Sequence, residues 1–290
     1  MHGVVPEDTD FMIMIFTALY CEAKPIIRFF GLKKDTGHHL FQVFKNDDII
    51  LLVTKPGIVN AAIGVTHLCS AYPPNPSDLL LNIGICGAGD RNIPTGTVYL
   101  CNKIYEMDTG IYFYPDMIFA HPFEESGIVS SRNPVSEKHS ADIPELLADM
   151  EASGIYRAGI LFFQPHQMFF IKIVSDYLQS DKIDSSIVSE LIGQNIPEIA
   201  AWITRLHDGM TNSSPVFSPE EEKMLAEVSK NLRLTVSMQN QLRQAARYYK
   251  LQHGNFSANL SSFIKKENVL PVKNKHERKR AFEQLMREFA

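Results

Sequence analysis

The stretch "LLLNIGICGAGD", Leu79 to Asp90, decides how this chain folds. Its first part, Leu79–Ile85, is an apolar run of strand length, and a glycine-rich turn follows it. A buried strand that ends in glycines can bring backbone close to a dinucleotide, a phosphate or a sugar. The turn lacks the G-x-G-x-x-G spacing of a dinucleotide fingerprint, which argues against a dinucleotide and leaves a phosphate, a sugar or no ligand at all.

Working outward, apolar strands alternate with helices. Residues 11–19 read as a buried strand, followed by a helix over about Ala23–Gly31. "HLFQVFK" (His39–Lys45) and "DIILLVTKPG" (Asp48–Gly57) read as two strands joined at Asn46-Asp47-Asp48. "IVNAAIGVTHLCSAY" carries helical spacing and stops at Pro73-Pro74. After the central strand, "GTVYLCNKIYEMD" reads as another strand and His121–Ser140 as a long polar loop over the site. Pro144–Ala158 reads as a helix and Phe169–Asp176 as the last buried strand. "SSIVSELIGQNIPEIAAWITRL" supplies a closing helix, or a pair broken at Pro197.

This order predicts an α/β three-layer sandwich around a mixed central sheet over residues 11–207, behind a loose leader at 1–10. Asp208–Pro215, "DGMTNSSP", reads as a linker. Residues 216–290 read as an all-helical appendage. It opens on a capping box of Ser218 with Glu221 and closes on the basic amphipathic "KNKHERKRAFEQLMREF".

Composition narrows the function classes. A chain of 290 residues, 45% hydrophobic and 21% charged, has the balance of a soluble globular protein. A net charge of −5 argues against nucleic-acid binding by the chain as a whole and leaves room for a local basic patch. Cys21, Cys69, Cys86 and Cys101 form no C-x-x-C pair. With no secretory signal they read as reduced, buried thiols of a cytoplasmic protein, and no metal or organic cofactor is expected. The apolar run Phe11–Leu19 is too short to span a bilayer, so no membrane partner is expected either.

Three acids sit beside expected strand ends, where open α/β sheets carry their sites: Glu22, Glu151 in "DMEAS", and Asp176 in "IVSDYL". A single acid at such a place reads first as a solvated surface group. Three of them, set beside the glycine turn, match a known arrangement.

The matching segments are "IFTALYCEAKPI", "KPGIVNAAIG", "NIGICGA", "ADMEASG" and "KIVSD", in that order. On these five motifs residues 11–205 resemble the family of purine nucleoside phosphorylases and methylthioadenosine/S-adenosylhomocysteine nucleosidases. The resemblance implies cleavage of an N-glycosidic bond through an oxocarbenium-like ribosyl cation, with water as co-substrate. It makes Asp176 the acid that protonates the departing purine, oriented by Ser175. Glu22 becomes the base that orients and deprotonates water. Glu151 grips the 2′- and 3′-hydroxyls, and Met150 packs under the sugar. Gly84, Ile85, Lys172 and Val135 complete the implied substrate-binding set. The resemblance also implies a homodimer.

The departures decide between the family's two reactions. Its phosphorylases bring arginines to phosphate, whereas this chain has Tyr20, Cys21 and Glu22 in the first turn and Asn82 before the glycine turn. A phosphate dianion needs charge-assisted donors, so hydrolysis is favoured over phosphorolysis. Ile85 replaces the family's hydroxyl residue, Lys172 its arginine, and Pro56 its serine. Such a shell fits a changed substrate, reduced activity, or a nucleoside-binding protein without chemistry. The purine would meet the loop Ser130–Glu137 and Phe162, Phe163 or Phe169, all equally readable as core. His121, His139 and His166 read as surface residues. Lys273, Lys275, Arg278, Lys279 and Arg280 read as a solvated helix face, with partner or nucleic-acid binding as the alternative.

Overall fold

The computed structural model describes residues 11–136, 144–178, 184–211, 217–254, 272 and 275–287. The leader, His139, Glu137, Lys273 and the second half of the expected linker lie outside the described residues. The chain divides into two compact units, Met1–Thr211 and Asn212–Ala290.

The first unit is built on a ten-stranded mixed sheet. Its strands are β1 (Ile13–Thr17), β2 (Lys33–Asp35), β3 (Gln42–Lys45), β4 (Ile49–Val53) and β5 (Leu79–Ala88). They continue with β6 (Val98–Glu106), β7 (Ile111–Phe113), β8 (Glu124–Ser130), β9 (Leu147–Asp149) and β10 (Met168–Asp176). β5 lies between β1 and β9, and β10 pairs with both β6 and β5. Strands β5, β9, β8, β6 and β10 therefore close on themselves as a ring. Parallel β1–β5 and β5–β10 pairings put the carboxyl ends of these three strands side by side.

Alternate strand residues face opposite layers, as the two-residue period requires. Ile13 and Ile15 of β1 pack with α1 (Tyr20–Phe30) and α4 (Ser185–Thr211) through Ala23, Ile26, Ile192 and Trp202. Met14 and Phe16 pack instead with α2 (Ile58–Ala71) and α3 (Ala152–Gly159) through Val65, Leu68 and Ile155. The result is the expected three-layer sandwich.

Pro25 lies inside α1 and has no N–H to give the carbonyl of Cys21 one turn back. That carbonyl accepts from the Ser189 hydroxyl of α4 at 2.7 Å, so the orphaned acceptor ties the two helices together.

Four local expectations are corrected. The glycine-rich "turn" is strand: β5 continues through Gly84 and Gly87 to Ala88, held by β10 and β9. The polar stretch after His121 contains β8, whose first two glutamates are exposed while Ile128–Ser130 are buried between β6 and β9. The helix expected over Pro144–Ala158 is β9 followed by α3, because Leu147–Asp149 pair with β5 and β8 and tertiary pairing overrides the local helical pattern. Asp208–Thr211, read as linker, end α4, which carries Pro197 inside one 27-residue helix.

The second unit contains α5 (Pro219–Asn231), α6 (Val236–His253) and α7 (Lys275–Arg287). Leu225, Val228, Leu242, Ala246, Phe282 and Leu285 form its core. Ser218 and Glu221 make the expected capping box, with Ser218 N donating to Glu221 Oε2 at 2.6 Å. Among the described residues no helix is long and apolar enough to cross a membrane.

Candidate active site

Glu22 is the third residue of α1, and its carboxylate folds back over the helix start. Oε2 accepts from the backbone N–H groups of Ala18 and Leu19 at 2.9 and 2.8 Å, and Oε1 accepts from that of Ile85 at 2.9 Å. The side chain is 2% exposed. Burial raises its pKa, opposed by these backbone donors and the charge of Lys172. Ile85 thus enters the site through its backbone N–H, while its side chain packs against the core of α1 and α4.

The two strand glycines now have a reason. A Cβ on Gly84 would stand 2.9 Å from Glu22 Oε1, and one on Gly87 would stand 3.2 Å from Asp176 Oδ1 and 2.7 Å from Leu178 Cδ2. Each glycine makes room for a carboxylate, one from the first turn of α1 and one from the end of β10. Leu178 itself is held at φ +58°, a strained left-handed conformation just past Asp176. Ser175 Oγ donates toward Asp176 Oδ2 at 2.7 Å and lies 3.1 Å from the Cys86 carbonyl. Asp176 is half-buried at the end of β10, opposite Gly87.

Glu151 occupies the cap position before α3 and is 8% exposed. Its Oε1 accepts from Gly57 N–H at 3.0 Å. Burial, then the neighbouring Asp149 carboxylate, pushes its pKa up to about 7, with Lys172 and the Gly57 donor opposing. Met150, half-buried, sits between these two acids in the chain.

Lys172 lies 1% exposed in the middle of β10, and its ammonium meets Asp149 Oδ2 at 2.7 Å. Burial works against its charge, but Asp149 and Glu151 more than offset this, so its pKa is raised and it stays cationic. Asp149 Oδ2 also accepts from Ala152 N–H at 2.9 Å, which fixes the start of α3 beside Glu151. Sequence reasoning missed Asp149. Its signal was available in "FFIKIVSD", because a lysine buried in an apolar strand demands an anionic partner.

The remaining candidates separate cleanly. Val135 packs against Val129, Ala148 and Leu178. Phe163 and Phe169 are core residues, each 2% exposed. His121 is buried rather than superficial, stacked on Phe123 and edge-on to Trp202. Asn82 donates from Nδ2 to the Phe16 carbonyl at 3.1 Å and so stitches β5 to β1. Among the described residues, Thr17 Oγ1, Asn82 Oδ1 and Asp149 Oδ1 are buried without a hydrogen-bond partner, which leaves polar capacity around the acids.

A cavity of about 700 Å³ opens beside this cluster, lined by Gly57–Asn60, Glu106, Asp108, Thr109, Arg132 and Arg157. It shares with the acids the Gly57 segment that holds Glu151. Its two arginines are paired, Arg157 with Glu106 and Arg132 with Asp108.

The architecture is a nucleoside phosphorylase-like fold. Among solved structures, the chain is similar to a mutant Helicobacter pylori 5′-methylthioadenosine nucleosidase holding 5′-methylthioadenosine in its active site, with a TM-score of 0.57 and 13% identity. That likeness covers 67% of this chain and 99% of the other. A futalosine hydrolase mutant of Helicobacter pylori gives a TM-score of 0.57 at 12% identity, over 67% and 99% of the two chains. The Neisseria meningitidis 5′-methylthioadenosine/S-adenosylhomocysteine nucleosidase in complex with methylthio-immucillin-A gives 0.55 at 18%, over 65% and 98%. No protein-family model matches the chain, and no curated protein matches it.

Proposed function

We propose that the α/β unit is an N-ribosyl hydrolase acting on a purine nucleoside of the methylthioadenosine or S-adenosylhomocysteine type. The observation that carries this reading is the approach of Glu22 and Asp176 to the end of β5, where Gly84 and Gly87 leave room for them, with Glu151 near enough to feel the charges of Glu22 and Lys172. In the proposed step the water oxygen bonds to C1′ as the C1′–N9 bond breaks. The bond's electron pair leaves with the purine, whose N7 takes a proton from Asp176. Glu22 takes a proton from the water, and the products are free purine and free sugar. Glu151 binds the sugar hydroxyls, and a carboxylate near the developing cation stabilises it. Met150 packs under the ribose, and Val135, which packs against Leu178 just past Asp176, lies toward the base.

Lys172 is proposed to act through Asp149 and Glu151 rather than by touching substrate, since its ammonium is buried in the ion pair. The four free cysteines support action in the reducing cytoplasm. Exposed Val59 and Ile63, one turn apart on α2, support association as a homodimer, which sedimentation would test.

A panel of purine nucleosides incubated with and without phosphate, followed by chromatography of the base, tests the assignment. The expected result is phosphate-independent release, reduced at least a hundredfold by Asp176→Asn, on the order of the usual contribution of a general acid. Strict phosphate dependence with a pentose 1-phosphate product would make the protein a phosphorylase. Ile85 favours a second reading, a nucleoside-binding protein without chemistry, because its side chain offers no hydrogen bond to water or sugar. Nucleosides would then raise the melting temperature without being consumed.

A further inference from the structure

The two units carry opposite charge. Met1–Thr211 hold 14 Lys and Arg against 25 Asp and Glu, a net −11. Asn212–Ala290 hold 14 against 8, a net +6 in just over a quarter of the length. An asymmetry of this size between parts of one chain points to a polyanionic partner.

The positive charge has a definite place on α7. Lys275, Lys279, Arg280 and Arg287 are exposed, while Ala281, Phe282 and Leu285 are buried in the unit's own core. At 3.6 residues per turn the four basic positions fall within an arc of about 140°, on the side opposite the buried stripe. Elsewhere in the unit Arg243 pairs with Glu222 and Lys250 with Glu221. On α7, Lys279 meets Glu283 only at 3.9 Å, with both side chains largely exposed.

We propose that the exposed face of α7 binds the phosphate backbone of nucleic acid. Two features select this occupant. The apolar face of α7 is already used in the core, so the helix has none left to insert into a lipid surface. Its cations project over several turns, as needed to follow a backbone whose phosphates repeat along an axis, and such contacts require no base recognition. Glu283 lies within the basic arc and limits the affinity.

The test uses the full chain and fluorescence anisotropy with a 5′-fluorescein-labelled random 24-base-pair DNA duplex, repeated with RNA of the same sequence. Four phosphate contacts predict that the association constant falls about 100-fold between 50 and 200 mM salt. The combined Lys275→Glu, Lys279→Glu and Arg280→Glu variant is expected to weaken binding more than tenfold at 50 mM salt. Glu283→Gln is expected to tighten it severalfold, a gain that misfolding cannot produce. Absence of binding to both probes at 50 mM salt overturns the proposal. So does binding that neither variant alters, or capture by phosphatidylserine vesicles without capture by nucleic acid. Preference for DNA or RNA identifies which source supplies the backbone.

Discussion

The α/β unit keeps its decisive charges inside, and the helical unit keeps its own outside. Glu22, Asp149, Glu151 and Lys172 are each less than a tenth exposed, whereas Lys275, Lys279, Arg280 and Arg287 stand in solvent. Buried charges need partners at fixed distances and fix geometry and protonation in return. Exposed charges are screened, contribute little to stability and act at range on other molecules. The same residue types are therefore locked in place in one unit and left open to solvent in the other.

The comparison breaks first at Lys172. Lys172→Met leaves Asp149 buried without its counter-ion, and is expected to destabilise the α/β unit by about 3–5 kcal/mol in urea denaturation. A loss below about 1 kcal/mol would mean that the pair is not buried as described.

Glu151 gives the next effect. An acid whose folded pKa lies above its unfolded value favours the folded state fully below the unfolded pKa, and this contribution is lost as pH rises through the folded one. For Glu151 that window runs from 4.5 to about 7. Relative to the wild type, Glu151→Gln is expected to gain stability across this window, by up to about 3 kcal/mol. Denaturation curves at pH 4.5, 6 and 7.5 measure it, and a constant difference would sink the assignment.

Gly84→Ala sharpens the picture at smaller scale. The new methyl group must displace the Glu22 carboxylate, so a loss of about 1–3 kcal/mol is expected, together with impaired base release. Last, the triple charge reversal on α7 is expected to change stability by no more than about 0.5 kcal/mol, because those side chains are exposed.

Much of this was legible in the sequence. The layered fold and the central apolar strand follow from periodicity and motif order, and the three acids stood out as candidates by their places beside expected strand ends. The rest depended on partners distant in the chain. Gly84 and Gly87 read locally as a turn because glycine is a strand breaker, and only the arrival of Glu22 and Asp176 explains them inside β5. Ile85 read as a lost hydroxyl, since side-chain identity says nothing about its backbone N–H, which Glu22 uses. β9 was hidden because three residues carry too short a pattern to reveal a strand whose neighbours lie far away along the chain.

The closed ring of strands has a consequence for the order of assembly. Glu22 arrives with the first strand, Glu151 after the ninth, and Asp176 at the end of the strand that closes the ring. A nascent chain cannot bring its three acids together until β10 has seated against β5, a contact of long sequence separation and therefore late formation. Fragments that stop short of β10 should collapse around β1, β4 and β5 yet lack Asp176 altogether. Base release would thus report completion of the ring, and could time the last step of folding.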